Sequence, residues 1–477
     1  MIKNISENQS YQSNQCSICI VHRFWWPVYF ALLALTLNNT LPYQGDEAFY
    51  IASSIRMIKT GDYLLPVYFG EPRFQKPILP YWFTVAGYKL FGIHLWSGRF
   101  FFVLLSAATL LLLYRFAYAL IPDRRFASLN ALLLASSPLF VESARVAMTD
   151  MPLLFFTTFA LFAFYQALER PECLLPYYLL AYLAMGLACA SKGVFGVFPG
   201  VVMFVYLLIV RPPNYRAALW RMLHPLPVAI FLLLAGWWYL YAYWFYAPEL
   251  LRQLRTESEI ATSHVWQIFG NLLAYSKDAL LYYAPFSAIA AYLAVKRRLT
   301  LPPRFLPLLI YALATFALLV FALERHKSRY FLLAFPALTL LMSYVFHRHQ
   351  FYALAEKLAI GLSALQLMIY LVYPMVSGQP INELVRYWDN HLNGTLALYD
   401  MPRRENSWAQ ALSHGKLQAY GERGEYLIVE EKKLENFQQY EVIKTAKKLK
   451  NVKIRGFSLV KIDETYLLLH SYMLRKK

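Results

Sequence analysis

Asp46 and Lys76 lie near the two ends of QGDEAFYIASSIRMIKTGDYLLPVYFGEPRFQKPILPYW, which runs from Gln44 to Trp82 and also carries Glu47, Arg56 and Lys59. A carboxylate held at such a place can take a proton from an acceptor. A lysine can stabilise the charge that develops on an anionic leaving group. Three later stretches have the same character: Glu142, Arg145 and Asp150 in ESARVAMTDMPLLFF, Lys192 in ASKGVFGVFPG, and Lys327, Arg329 and Tyr330 in HKSRYFLLAF. Each residue also has a plainer reading. Asp46 suits a helix N-cap, Glu142 and Arg145 suit a structural ion pair, and Asp150 could cap a helix opened by Pro152. The cations could snorkel to lipid headgroups, the reading favoured for Arg252 and Arg255. Glu257, Glu259 and His264 could join Asp46 or Asp150 around a divalent metal, the one candidate cofactor, although their spacing matches no recognised metal site.

The elements that must carry these residues are membrane helices. The chain has 477 residues, of which 58% are hydrophobic, 17% aromatic and only 16% charged, whereas soluble domains average about a quarter charged. Apolar runs are expected to span at 24–42, 96–121, 127–147, 151–168, 175–190, 193–210, 225–246, 278–295, 304–323, 328–346 and 351–374, eleven in all. Residues 1–23 are expected to form a polar cytoplasmic tail before an uncleaved first span. The net charge of +18 is explained by basic loops on the cytoplasmic side. These positive charges are dispersed between apolar helices, which argues against nucleic-acid binding. Cys16 and Cys19 form a lone C-x-x-C without a second pair.

With the basic loops inside, the loop 44–95, the Glu142–Asp150 turn, the turn at Lys192, the loop 247–277 and the Glu324–Tyr330 turn gather on the outer face. Residues 46–60 are expected to form a helix in the interface plane, with Ala48, Ile51, Ala52, Ile55 and Ile58 on one apolar face and Gly61 at its end. Charged residues at membrane depth cost about 2.5–3.5 kcal/mol on insertion scales, so they are functional candidates by default. From about residue 390 the composition turns charged. Short strand-like runs at 396–399, 426–429, 457–462 and 466–470, with a helical stretch at 440–450, predict a small α/β domain over 390–477, placed outside by the helix count.

The first of these stretches, continued through FTVAGYKLFG, resembles the first outer loop of the bacterial aminoarabinose–lipid A transferase family. That family is related to the dolichyl-phosphate-mannose protein mannosyltransferases and has the GT-C glycosyltransferase fold. The three later motifs match in the family's order, extending the resemblance over 24–346. It implies an all-α polytopic membrane protein, with interfacial helices in the first outer loop and the small C-terminal α/β domain appended. It also implies transfer of a sugar from a polyprenyl-phosphate carrier, undecaprenyl phosphate, to lipid A or another envelope glycan at the periplasmic face of the inner membrane. By motif position Asp46 matches the catalytic carboxylate, Asp150 a second acidic position and Lys76 the lysine that meets the carrier phosphate. Lys192, Lys327 and Arg329 are further candidate phosphate-binding cations. Gln75 departs from the glutamate that commonly precedes that lysine; it keeps shape and hydrogen bonding but loses the charge. Two other readings stay open: a secreted-protein hydroxyl as acceptor, or a flippase of lipid-linked sugars. A flippase calls for charges near the midplane rather than at one face.

Overall fold

Apolar runs become helices here because a backbone in lipid must satisfy its own hydrogen bonds. The computed structural model describes residues 25–31, 33–38, 46–170, 172, 174–259, 265–323, 326–377, 380–399, 401, 403–417, 425–437, 440–454 and 457–471. A short apolar helix, α1 (Trp25–Leu35), leads to α2 (Glu47–Thr60), a two-strand ribbon β1 (Val67–Tyr68) and β2 (Glu71–Pro72), and α3 (Leu79–Phe91). The bundle then runs through α4 (Leu95–Leu120), α5 (Arg124–Ala135), α6 (Pro138–Ala144), α7 (Asp150–Glu169), α8 (Leu174–Lys192), α9 (Phe198–Val210) and α10 (Tyr215–Met222). It is completed by α11 (Pro225–Glu259), α12 (Val265–Leu281), α13 (Phe286–Lys296), α14 (Leu306–Ala322), α15 (Phe335–Arg348) and α16 (Tyr352–Ser377).

Among the described residues seven helical stretches are long and apolar enough to cross a membrane, or nine when each of two bent pairs counts as one span. The eleven expected spans map onto these in an orderly way. α5 and α6 bend by 73° where Pro138 opens the second helix, and Gln366 donates to the Ser136 carbonyl at the break, 2.6 Å away. α12 and α13 bend by 96°. The spans expected at 175–190 and 193–210 form one continuous helical run, Leu174–Val210. A Cβ on Gly196 would stand 2.2 Å from the Cys189 nitrogen, and one on Gly200 would meet Met185. Partner numbers fall as the glycine numbers rise, so α9 turns back along α8. The remaining expected span, 24–42, corresponds to α1, part of which lies outside the described residues.

Four expectations need correction. The loop expected at 247–277 is largely helical, because α11 continues to Glu259 and α12 begins at Val265; Trp266, Phe269, Leu272 and Leu273 leave their side chains exposed. α2 is not a surface helix with one apolar face: Tyr50, Ile51, Ser53, Ser54, Ile55 and Met57 are all buried. Its end is as expected, with Gly61 at φ 73° donating to the Met57 carbonyl. The C-terminal unit starts earlier than residue 390, at α17 (Pro380–His391), and contains α18 (Arg403–Leu412). Finally, the helix expected at 440–450 is a strand. β3 (Leu396–Leu398), β4 (Tyr426–Glu430), β5 (Tyr440–Ile454) and β6 (Phe457–Ser471) form one sheet in the order β3-β4-β6-β5. The β-branched residues Val442, Ile443, Thr445, Val452 and Ile454 favour extension, and the hairpin partner β6 fixes it. β6 also joins what read as two separate strands.

One core cluster joins Ile51 and Ile55 of α2 to Leu384, Val385 and Trp388 of α17, Trp408 and Leu412 of α18, and the sheet. The C-terminal unit therefore lies directly on the helix that begins at Asp46. Replacing Gly196 with Ala is expected to cost about 1–3 kcal/mol by overpacking the α8–α9 turn, read as a lower melting temperature in detergent.

Candidate active site

α7 starts and α8 ends at the same end of the bundle, since α7 ends at Glu169, α8 begins at Leu174 and the two helices pack together. Asp150 occupies the first turn of α7 and Lys192 the last turn of α8. An acid at a helix N-terminus and a base at a C-terminus each complement the helix dipole. Lys192 Nζ donates to Asp150 Oδ1 at 2.5 Å, with the two side chains only 4% and 5% exposed. The ammonium also lies 3.9 Å from the centre of the Tyr330 ring. Thr149, not Asp150, is the residue before the helix, so Asp150 is an ion-pair partner rather than a cap.

The second pair spans 283 positions of sequence. Arg329 Nη2 donates to Asp46 Oδ2, with side chains 29% and 46% exposed. Asp46 stands at the N-cap position of α2 but makes no capping hydrogen bond. Burial pushes its carboxyl up, yet the Arg329 charge and hydrogen bond, with Lys327 and Arg73 behind them, hold it below the usual carboxylate range. A small cavity is lined by Asp150, Lys192, Arg329 and Tyr330, with Phe195 and Leu333 among its apolar walls, and Asp46 is joined to it through Arg329. Phe195 and Tyr330 belong to the 3-10 segments Gly193–Val197 and Ser328–Ala334. Irregular backbone at this depth is tolerated where it lines a cavity.

Asp46, Asp150, Lys192, Arg329 and Tyr330 thus converge from four parts of the chain. Lys327 is exposed beside them, with Nζ 5.7 Å from the Tyr330 ring centre. Lys76 is half-buried and close enough to act electrostatically on Lys192; Gln75 is half-buried next to it.

Other expected residues serve the framework. Glu47 is fully buried and bound by Arg99 at 2.7 and 2.5 Å, while it accepts from the Ala147 N–H at 2.9 Å. Arg99 also donates to the Leu37 carbonyl. Arg145 donates to Thr36 Oγ1 and the Thr36 carbonyl, both at 2.8 Å, and stacks on Tyr370, with Glu142 acting on it through space. The simple Glu142–Arg145 pair is therefore replaced by a wider buried network. Arg56 is half-buried on α2. Arg252 pairs with Glu249 on the surface, and Arg255 is exposed. The side chains of Glu257 and Glu259, and residue 264, lie outside the described residues. Among the described residues no group of three or more His, Cys, Asp or Glu side chains could hold a metal ion.

Two charged residues escaped the sequence reading. Arg99 looks like an isolated charge inside an apolar span, which is itself the signal that it must have a buried partner. Arg73, three residues before Lys76, is buried, donates to the Tyr81 hydroxyl at 2.6 Å and lies 3.9 Å above Phe49.

The chain resembles known proteins in sequence and fold. Residues 21–249 match the dolichyl-phosphate-mannose-protein mannosyltransferase family. An uncharacterized protein of Aquifex aeolicus is 36% identical over 45% of this chain and 42% of its own length. The undecaprenyl phosphate-alpha-4-amino-4-deoxy-L-arabinose arabinosyl transferase of Serratia proteamaculans is 29% identical over 38% of this chain. The matched part spans less than half of the first relative and 33% of the second. The structure of ArnT from Cupriavidus metallidurans bound to undecaprenyl phosphate superposes with a TM-score of 0.70 at 16% identity, covering 94% of this chain and 98% of the other. Over part of its length the chain is similar in sequence to the mannosyltransferase family and to an aminoarabinose transferase, and its fold is that of the GT-C glycosyltransferases. The two ion pairs of the site differ in one decisive respect, burial.

Removing one member of a buried pair leaves an uncompensated charge and costs about 3–5 kcal/mol, whereas exposed pairs contribute about 0–1 kcal/mol. Lys192→Ala should therefore lower the melting temperature sharply, and Arg329→Ala should barely change it. Thermal unfolding of both variants in detergent checks the contrast.

Proposed function

We propose that this protein transfers a sugar from a polyprenyl-phosphate carrier to a hydroxyl of lipid A or another envelope glycan, at the periplasmic face of the bacterial inner membrane. The observation that carries the reading is a cavity lined by Asp150, Lys192 and Arg329, with Asp46 held by Arg329 and more open than Asp150 to an incoming group.

Asp46 is assigned as the general base. It accepts the proton of the acceptor hydroxyl as the oxygen bonds to the anomeric carbon. The bond from that carbon to the phosphate oxygen breaks, and its electron pair leaves with the lipid phosphate. Lys192, Arg329, Lys327 and Lys76 supply the positive charge that stabilises this leaving group in a poorly solvated site. Asp150 holds Lys192 in place and balances its charge between turnovers. Arg329 has a double role. A donor phosphate that takes it up competes with Asp46, so Asp46 gains basicity when the donor arrives. That ordering ties proton abstraction to the presence of the leaving group.

The superposition with a structure bound to undecaprenyl phosphate and the similarity to an undecaprenyl-phosphate-dependent transferase support this class of donor. The acceptor is less constrained, because the mannosyltransferase match favours a protein hydroxyl as the second reading. Mass spectrometry of lipid A, envelope glycans and secreted proteins, with and without the protein, separates the acceptors. An unchanged envelope together with flux of labelled carrier across vesicles would instead make the protein a flippase.

With purified protein, Asp46→Asn should lower transfer by about a hundred-fold or more, the usual contribution of a general base, while the protein still inserts and folds. Wild-type turnover in this variant would refute the assignment. The base form of Asp46 exists above its depressed pKa and is lost as pH falls through it. Removing a neighbouring positive charge raises that pKa. Arg73→Gln should accordingly move the acid limb of the pH–rate profile to higher pH.

A further inference from the structure

Asn271, Tyr275, Asp278 and Tyr282 are spaced by four, three and four residues along α12 and the residue after it, and so share one face. The first three are 3%, 0% and 3% exposed. Much of the rest of the helix is an apolar, exposed surface that includes Trp266, Phe269, Leu273 and Leu280. A buried polar stripe on such a helix is costly unless every group finds a partner.

All four partners lie on one short connection, from the end of α14 into the 3-10 segment Ser328–Ala334. Asn271 Nδ2 donates to the Leu323 carbonyl at 2.6 Å. The Lys327 N–H donates to the Tyr275 hydroxyl at 3.2 Å, and that hydroxyl donates to the Lys327 carbonyl at 3.4 Å. Asp278 Oδ2 and His326 Nε2 are 2.6 Å apart, and the His326 ring packs edge-on against Tyr275. The Tyr282 side chain lies close to that of Ser328. The connection thus meets the stripe at Leu323, His326, Lys327 and Ser328, directly before Arg329.

We propose that this stripe is a positioning device for the donor's phosphate, with the Asp278–His326 pair as its pin: it fixes the backbone from which Arg329 reaches the cavity and Lys327 stands beside it. The inference rests on the reading that these cations hold a lipid phosphate. A 3-10 segment has weaker internal hydrogen bonding than an α-helix, so its course must be set from outside. Apolar residues would hold α12 against this connection at least as stably, because replacing a buried polar pair with well-packed apolar groups is often neutral or stabilising. What apolar packing cannot supply is a fixed direction for each backbone group. Asp278 and His326 are positioning residues and need not touch the substrate.

The test measures binding of undecaprenyl phosphate, and KM and kcat with an undecaprenyl-phosphate sugar, on wild type, Arg329→Ala, Asp278→Leu, Asp278→Asn, His326→Leu and His326→Asn, with melting temperatures for each. The two Leu variants should weaken lipid-phosphate binding and raise the donor KM by about ten-fold, as expected for loss of a buried charge-assisted hydrogen bond. The two Asn variants, which keep a polar partner, should recover most of the loss. If wild type binds and Arg329→Ala does not, yet the Leu variants bind like wild type, the positioning role is wrong and the functional reading stands. If wild type and Arg329→Ala bind equally, the functional reading itself fails. Should the Leu variants not fold, Tyr275→Phe removes only the hydroxyl on Lys327. A several-fold rise in donor KM at unchanged melting temperature is then expected, and an unchanged KM overturns the proposal.

Discussion

An ammonium and a carboxylate, each almost stripped of water, face one another where α7 begins and α8 ends. Neither could be held there alone, since an unpaired buried charge costs several kcal/mol. The Asp150–Lys192 pair therefore requires the two helices to stay in register and their ends to stay level. The turn of α9 along α8 lets a 3-10 segment line the cavity beside Lys192. On the other side the segment Ser328–Ala334 brings Tyr330 over the ammonium and Arg329 to Asp46. The site is thus a set of charges that neutralise one another in pairs.

Division between the pairs gives the site both stability and reactivity. The buried pair is structural in its energetics, and the half-exposed pair can exchange partners at small cost. A second layer keeps Asp46 in place. Glu47, the next residue, is clamped by Arg99 and the Ala147 N–H, and Ile51 and Ile55 are packed under the C-terminal unit. The C-terminal unit thereby belongs to the architecture of the site, because it covers the helix that begins at Asp46.

Much of the site was legible in the sequence because charge at membrane depth is conspicuous. Asp46, Asp150, Lys192 and Arg329 stood out as charges beside apolar runs, and all four converge. Which acid meets which base was not legible: the Asp46–Arg329 contact joins residues 283 positions apart, and no local pattern encodes it. Glu142 and Arg145 show the opposite failure. Their proximity on one turn suggested a pair, whereas Thr36 and Tyr370 supply most of the environment of Arg145. The strand at Tyr440–Ile454 was misread because its Lys-rich surface masks a β-branched alternation that only the hairpin partner stabilises. Asp278 and His326 passed unnoticed because each is a single polar residue, and the stripe emerges only once α12 is known to be a helix.

The central claim is that the cations now held by carboxylates are the ones that receive a lipid phosphate. The most direct measurement is the affinity of purified Asp46→Asn and Arg329→Ala protein for undecaprenyl phosphate relative to wild type. Loss of the competing carboxylate should leave Asp46→Asn binding at least as tightly as wild type, while Arg329→Ala binds markedly less. Weaker binding by Asp46→Asn, or undiminished binding by Arg329→Ala, would contradict the account.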